Sequence, residues 1–388
     1  MTRVFITGLG VVSPVGGSVT DYWRSMLERS IAPSQGFGEL SDRIDNRYMY
    51  TCHESSSVEA PCGRTEALAL DAVEQAIGDA RLGELSLLRG GIALGTTMGD
   101  ESLLEVARAK FGDSGSLRSD FPFQVTATLA QKFGLCGPNV TISNACTSGL
   151  YGIDLAASAI RQGEADLMIA GGVESASRIV LSCFNRLGAL DDELCRPFDV
   201  DRKGTVLGEG AAFVVLESEE HMRRRGKKDA YCEYKGSGWS CDAHQPTAPE
   251  PSGEQIERAL RESLLSSGIV PDQVDCILPH GTGTPLNDTV EAAVLTRVFG
   301  NNVNPPVLTA IKSKLGHSGG ASGAFSVVTA CLILKHARVP ATANLKTRDK
   351  AFSLPIPIDV PLNQEIKTIL VNAYAFGGNN ISVTLSRQ

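Results

Sequence analysis

No stretch of this 388-residue chain approaches the roughly 18 to 20 uninterrupted apolar residues of a membrane helix, and the N-terminus runs directly into a strand-like segment. A soluble, cytoplasmic protein is therefore expected. Basic charge is in deficit, with 36 Lys and Arg against 44 Asp and Glu, for a net charge of -8. That balance argues against nucleic acid or an anionic membrane as the main partner. The ten cysteines contain no Cys-x-x-Cys pair and no clustering with histidine, so neither a disulfide nor a metal site is expected. In a reducing cytosol they are thiols, mostly packing the core. Low-complexity segments and long flexible linkers are also missing.

What is present is ample material for a large core, at 42% hydrophobic and 21% charged residues. Strand-like apolar runs alternate with helical periodicity: Val4 to Leu9, Tyr22 to Leu27, Thr65 to Ile77, Gly91 to Gly95, Ala165 to Gly171 and Ala211 to Leu216. The later part repeats the scheme, with helices over Gly253 to Ser267, Thr289 to Phe299 and Gly323 to His336, and strands over Val274 to Leu278 and Val307 to Ile311. This pattern reads as α/β, with strands buried between helical layers. Both parts close alike, since Gly204 to Leu216 and Ala375 to Leu385 each send a glycine-rich turn into an apolar strand, as a hairpin would. The boundary falls near the charged junction Lys227 to Tyr231, dividing the chain into 1–228 and 229–388.

Cys146 stands apart from the other nine cysteines: Cys52, Cys62, Cys136, Cys183, Cys195, Cys232, Cys241, Cys276 and Cys331. It lies in Ser-Asn-Ala-Cys-Thr-Ser-Gly, between an extended Val140-Thr141-Ile142 run and a helix-like segment from Leu150. A strand turning sharply into a helix places the thiol at the helix N-terminus, where unpaired N–H groups and the dipole favour the thiolate. Two histidines follow apolar runs and open glycine-rich loops: His280 in His-Gly-Thr-Gly-Thr-Pro, and His317 in Lys-Ser-Lys-Leu-Gly-His-Ser-Gly-Gly. Strand ends of that kind are where α/β proteins build sites, so one constellation of Cys146, His280 and His317 is expected.

At these residues the chain resembles the β-ketoacyl-acyl carrier protein synthases, elongating condensing enzymes of the thiolase superfamily. The resemblance runs from Val4-Phe5-Ile6-Thr7-Gly8-Leu9-Gly10 through Arg196-Pro197-Phe198-Asp199 and Leu207-Gly208-Glu209-Gly210 to the closing loop Asn372 to Asn380. It implies a thiolase-like fold, two pseudo-equivalent α/β halves in a five-layered α-β-α-β-α arrangement. It also implies decarboxylative condensation of an acyl group, held as a thioester on Cys146, with malonyl-acyl carrier protein. Two histidine N–H donors would stabilise the enolate oxygen without a metal. By the same resemblance Lys312 organises the site electrostatically, and the backbone N–H groups of Cys146 and Phe376 form the oxyanion hole. Thr282, Thr284 and Thr247 would hold the phosphopantetheine arm, and Phe376 would gate the acyl pocket opposite Phe184. Substrates arrive on acyl carrier protein with no bound cofactor. Because that partner is itself acidic, a local basic patch is required; Arg64, Arg118 and Arg186 are the candidates, whereas Arg223 to Lys228 reads as a solvated helix end.

Several positions depart from the family pattern. Ser326 stands where a glutamate is common, Tyr374 and Ala375 replace the usual Phe-Gly, Asn379 replaces threonine, and Asn144 precedes Ala-Cys. A degradative thiolase is disfavoured because Ala375-Phe376-Gly377-Gly378 holds no cysteine, and Lys312 argues against a priming-type synthase. Two assemblies stay open: a homodimer of fatty acid synthesis, or the active subunit of a heterodimer with a chain-length factor making a polyketide or polyene. A catalytically silent chain-length-factor-like subunit is the third reading, and Cys146 speaks against it.

Overall fold

The computed structural model describes residues 2–28, 32–35, 48–52, 63–85, 88–100 and 121–388. Among these, a ten-stranded sheet runs in the order Val307–Leu308, Cys276–Leu278, Thr368–Ala375, Asn379–Ser386, Cys232–Cys241, Val4–Val12, Gly210–Ser218, Leu167–Glu174, Gly90–Gly95, Asn139–Ile142. Read inward from either edge, the pairings are parallel, parallel, antiparallel, antiparallel. The two halves thus have one topology, with all strands before residue 219 in one and all after 231 in the other. They meet where Val4, Phe5 and Ile6 pair antiparallel with Tyr234, Glu233 and Cys232.

Layering follows from strands that are apolar on both faces. Ile169, Phe213 and Val215 pack outward with the helix Arg64–Ala80, while Met168, Ala170 and Val214 face inward. In the other half Ile277, Leu308 and Leu370 pack with the helices Glu254–Ser267 and Pro285–Phe299, and Ile369, Val371 and Val383 face inward. Between the two inner faces lie the helices Ser148–Arg161 and Ser322–His336, the latter buried from Ser322 to Leu334. A helix apolar all round suits only such a double-sided position. The result is the five-layered arrangement, helices outside, between and outside two sheet faces.

Element boundaries differ from expectation where local chemistry intervenes. The helix expected from Thr289 starts at Pro285, whose fixed φ and missing N–H suit a first helical position. The two closing segments are not both hairpins. Thr368–Ala375 and Asn379–Ser386 are joined by the single turn Phe376–Gly378. Their counterparts, Leu167–Glu174 and Gly210–Ser218, pair antiparallel across a connection spanning residues 175–209. Leu207–Gly208 pairs instead with Met49–Tyr50 and bridges to His317. That short strand is held by Met49–Tyr50 and by the loop carrying His317, apart from the Gly210–Ser218 ladder.

Candidate active site

The edge strand Asn139–Ile142 delivers the chain into the 3-10 turn Ala145–Thr147 and thence the helix Ser148–Arg161. Ala145 adopts φ +48, a left-handed conformation costly for a residue with a Cβ. Side chains hold the bend: Ser148 Oγ accepts from the Asn144 N–H and donates to the Ala145 carbonyl, both at 2.7 Å. Thr147 Oγ1 donates to the Asn144 carbonyl at 2.7 Å. Cys146 is thereby turned into the interior.

Two cavities meet there. An outer one of about 300 Å³ is lined by Cys146, His280, His317, Thr247, Thr282 and Thr284. An inner one of about 70 Å³ is lined by Met49, Val180 and Leu207, with Glu174 and Ser177. Cys146, His317, Phe184 and Phe376 border both. The Phe184 and Phe376 rings stack at 5.5 Å between centroids, and Phe184 meets the His317 ring edge-on at 6.2 Å. Gly377 and Gly378, at φ +84 and +76, give the loop behind Phe376 a turn open only to glycine.

The two imidazoles stand nearly perpendicular, with centroids 5.6 Å apart. Lys312 donates to the His280 carbonyl and lies 3.5 Å from His280 Nδ1. An ammonium is donor only, so Nδ1 serves as acceptor and Nε2 of His280 carries the proton. His317 Nδ1 pairs with Ser322 Oγ at 3.0 Å, leaving Nε2 as its other polar atom. The His317 main chain is tied to Val206 and Gly208.

Burial governs the electrostatics. The Cys146 thiol is pushed up to about 11 by loss of water, against the pull of Lys312 and of the Cys146 and Phe376 main-chain N–H groups. Both N–H groups therefore act on the Cys146 sulfur. The helix start and Lys312 do favour the thiolate, as expected, but desolvation outweighs them. His317 is depressed to about 3 by burial and then by Lys312. His280 is lowered by burial, Lys312 and His317. Both rings are therefore neutral hydrogen-bond donors near pH 7, not imidazolium ions.

Sequence reasoning missed the carboxylates that build these loops. Glu291 accepts from the His280 and Gly281 N–H groups at 2.8 Å each. Asp288 accepts from Thr282 at 3.1 Å, Gly283 at 3.2 Å and Phe198 at 2.9 Å. Glu174, ending a central strand, accepts from Thr97 at 2.9 Å and Gly320 at 2.8 Å, tying the halves together beside Cys146. The one legible signal was an acidic residue within an apolar run, at Glu291 in Val290-Glu291-Ala292-Ala293-Val294 and at Glu174 after Gly171-Gly172-Val173. Thr282 and Thr284 share a hydrogen bond of 2.8 Å, whereas Thr247 is exposed on the cavity wall. Lys312 borders neither cavity; it stands behind His280. Ser326 donates to the Ser322 carbonyl at 3.2 Å, supplying no charge.

The basic candidates separate. Arg64 is committed to buried Glu209, its Nε donating at 2.8 Å. Arg118 lies outside the described residues. Arg186 is exposed beside Leu187 and Gly188 at the outer cavity, where Lys203 also lines the wall. Of the Arg223 to Lys228 run, Arg224 pairs with Asp166 at 3.0 Å and Arg225 with Glu217 at 2.6 Å.

Comparison with known proteins matches residues 1–222 to the β-ketoacyl synthase N-terminal domain and 231–346 to its C-terminal domain. The chain belongs to the β-ketoacyl synthase family. A 3-oxoacyl-[acyl-carrier-protein] synthase 2 of Coxiella burnetii is 34% identical over 414 aligned positions, covering 99% of this chain and 98% of the relative. A putative polyketide β-ketoacyl synthase 1 of Streptomyces halstedii is 32% identical, with coverage of 99% and 98%. Among solved structures, the ishigamide ketosynthase/chain length factor superposes with a TM-score of 0.92 at 32% identity, covering 100% of this chain and 99% of that one. The thiolase-like fold of ketosynthases is thus the fold of this chain. No helix among the described residues is long and apolar enough to cross a membrane.

Proposed function

We propose that this ketosynthase performs chain elongation at Cys146, with His280 and His317 as the decarboxylation pair. The observation that supports it most directly is that Cys146 and His317 form, with Phe184 and Phe376, the partition between the two cavities. An acyl group enters on the phosphopantetheine arm of a carrier protein through the outer cavity, its polar stem against Thr282, Thr284 and Thr247. Cys146 Sγ attacks the thioester carbonyl, the Cys146 and Phe376 N–H groups receive the oxyanion, and the carrier thiol leaves with the proton. The acyl chain then occupies the inner side of the Phe184–Phe376 pair.

A malonyl thioester next takes the emptied outer cavity. Its C–CO2 bond breaks, CO2 departs, and the electron pair becomes an enolate whose oxygen accepts from His280 Nε2–H and from His317. The enolate carbon attacks the acyl carbonyl, a carbon–carbon bond forms, and Cys146 leaves as the sulfur anion that takes up a proton. Neutral imidazole donors suit this role, since they stabilise the oxyanion without protonating the carbanion. The chemistry calls for no bound cofactor or metal, and a carrier protein, in our reading a cytoplasmic one, would meet Arg186 and Lys203 at the cavity mouth.

A dimer is proposed from the sheet edge. Among the described residues Asn139–Ile142 is an edge strand on which Val140 is exposed, and Phe121 and Phe123 are 54% and 58% exposed with their rings stacked. Unpaired edges with apolar flanks call for a partner. The likeness to the ishigamide ketosynthase/chain length factor favours a chain-length factor as that partner as a second reading. Intact-protein mass spectrometry tests both: incubate wild type and Cys146→Ala with acyl-carrier thioesters, with and without malonyl carrier. A thioester adduct on wild type only, discharged by malonyl carrier, is the expected result. No adduct from a chain shown to be monomeric would support a missing heterodimeric partner; no adduct from a homodimer would overturn the assignment of Cys146.

A further inference from the structure

Tyr374 stands in the strand Thr368–Ala375 with its ring packed on His280, centroids 5.6 Å apart and tilted by 59°. It borders the outer cavity, is 4% exposed, and its hydroxyl lies within reach of Glu291 without meeting strict hydrogen-bond geometry to any described residue. A buried phenol with no partner is costly, and Tyr is kept where its O–H can reach one. The charged groups facing the hydroxyl are Glu291 and Asp242. Asp242 is already engaged, accepting from Asn380 Nδ2 at 2.6 Å and from the Glu250 N–H at 3.0 Å. The Glu291 oxygens each accept one main-chain N–H, from His280 and from Gly281, so each keeps a free lone pair.

The geometry points to Tyr374 as a positioning residue of the decarboxylation half-reaction, its hydroxyl donating to Glu291, which in turn fixes the main chain carrying His280. The inference rests on the ketosynthase reading of this site. It also accounts for the site's charge. Among the described residues no carboxylate lies within ion-pair distance of Lys312, and Ser326 brings none. Glu291 is the carboxylate that senses Lys312 across the loop, together with Asp288 on its own helix. Burial raises Glu291 to about 7, with the Gly281 and His280 N–H groups and Lys312 opposing and Asp288 adding to the rise. A phenol donor favours the ionised carboxylate; removing it moves the carboxylate transition upward. Protonated Glu291 would lose acceptor capacity toward the His280 loop and leave Lys312 uncompensated, so decarboxylation should fail on the acid side.

The test is malonyl-carrier decarboxylation by wild type, Tyr374→Phe, Glu291→Gln and the double variant, from about pH 6 to about pH 9, spanning the carboxylate transition. Tyr374→Phe keeps the ring on His280 and removes only the hydroxyl. Expected are acyl loading of Cys146 and thermal unfolding as in wild type, and decarboxylation about tenfold lower near pH 6.5 that converges by about pH 9. In the Glu291→Gln background the same change should add nothing. Superimposed profiles of wild type and Tyr374→Phe would overturn the inference alone. So would a deficit equal at every pH, or a variant that no longer loads Cys146, because the hydroxyl would then serve general packing. A wild-type chain that releases no CO2 while Cys146 loads would overturn the decarboxylation reading and this inference with it.

Discussion

The ring of Phe184 lies against that of Phe376 at 5.5 Å, inclined by 26°, across the line where the outer and inner cavities meet. One ring is carried by the helix Arg178–Arg186, within the long connection 175–209, and the other by a glycine turn. That turn directly joins the paired strands Thr368–Ala375 and Asn379–Ser386.

Phe376→Ala should separate gating from acyl transfer, because it removes the ring and keeps the main-chain N–H. Cys146 is expected to load longer and bulkier acyl groups than wild type, while discrimination against malonyl thioester at the acylation step falls. Aromatic pairing of this kind contributes about 1 kcal/mol, so the fold should survive. Adduct masses from an acyl panel read the outcome; an unchanged acyl profile would remove Phe376 from the gate.

His280→Ala and His317→Ala should each leave acylation of Cys146 nearly intact and lower CO2 release by about two to three orders of magnitude, the usual cost of an oxyanion donor. Single-turnover loading measured beside malonyl decarboxylation checks this. Equal losses in both half-reactions would assign the histidines to general site structure.

The pH response of Cys146 has a definite sign. With the thiol raised to about 11 by burial, the thiolate fraction grows about tenfold per pH unit through the range 7 to 10. Iodoacetamide alkylation should climb over that interval without a plateau near the ordinary thiol value. Lys312→Met removes a cation that opposes the rise, so alkylation at a given pH should slow. A plateau below about pH 9 would mean that the thiol is ionised more readily than its burial allows.

Glu174→Ala would orphan the Thr97 N–H and leave the Gly320 N–H with only Thr97 Oγ1, at 3.1 Å. At about 1–3 kcal/mol for a buried donor left unpaired, a loss of that size is expected. Acylation should fall with it, since Gly320 lies in the loop that carries His317. Denaturant unfolding measured alongside Cys146 loading tests the pairing; wild-type stability would show that water replaces the carboxylate.

The placing of Cys146 at a helix start and of His280 and His317 in glycine-rich loops was legible locally, whereas Lys312 was singled out only by the family resemblance. Alternating apolar runs likewise announced an α/β chain with strands buried on both faces. The shortfalls share a cause. Asp288, Glu291 and Glu174 act by gripping main-chain N–H groups that other elements carry, and Glu174 reaches a loop 146 residues away. Arg64 read as an exposed docking charge until Glu209, 145 residues distant, claimed it.

The sequence by itself determined which groups can react and which segments form strands and helices, because both are set by residue type and short-range period. Only the tertiary structure decided how far burial raises the Cys146 thiol and lowers the two histidines. It alone decided that Lys312 stands behind a ring instead of facing substrate, and that two similar closing segments fold differently. Each of these depends on how much water is removed and on which distant partner arrives, and neither quantity is written in local sequence.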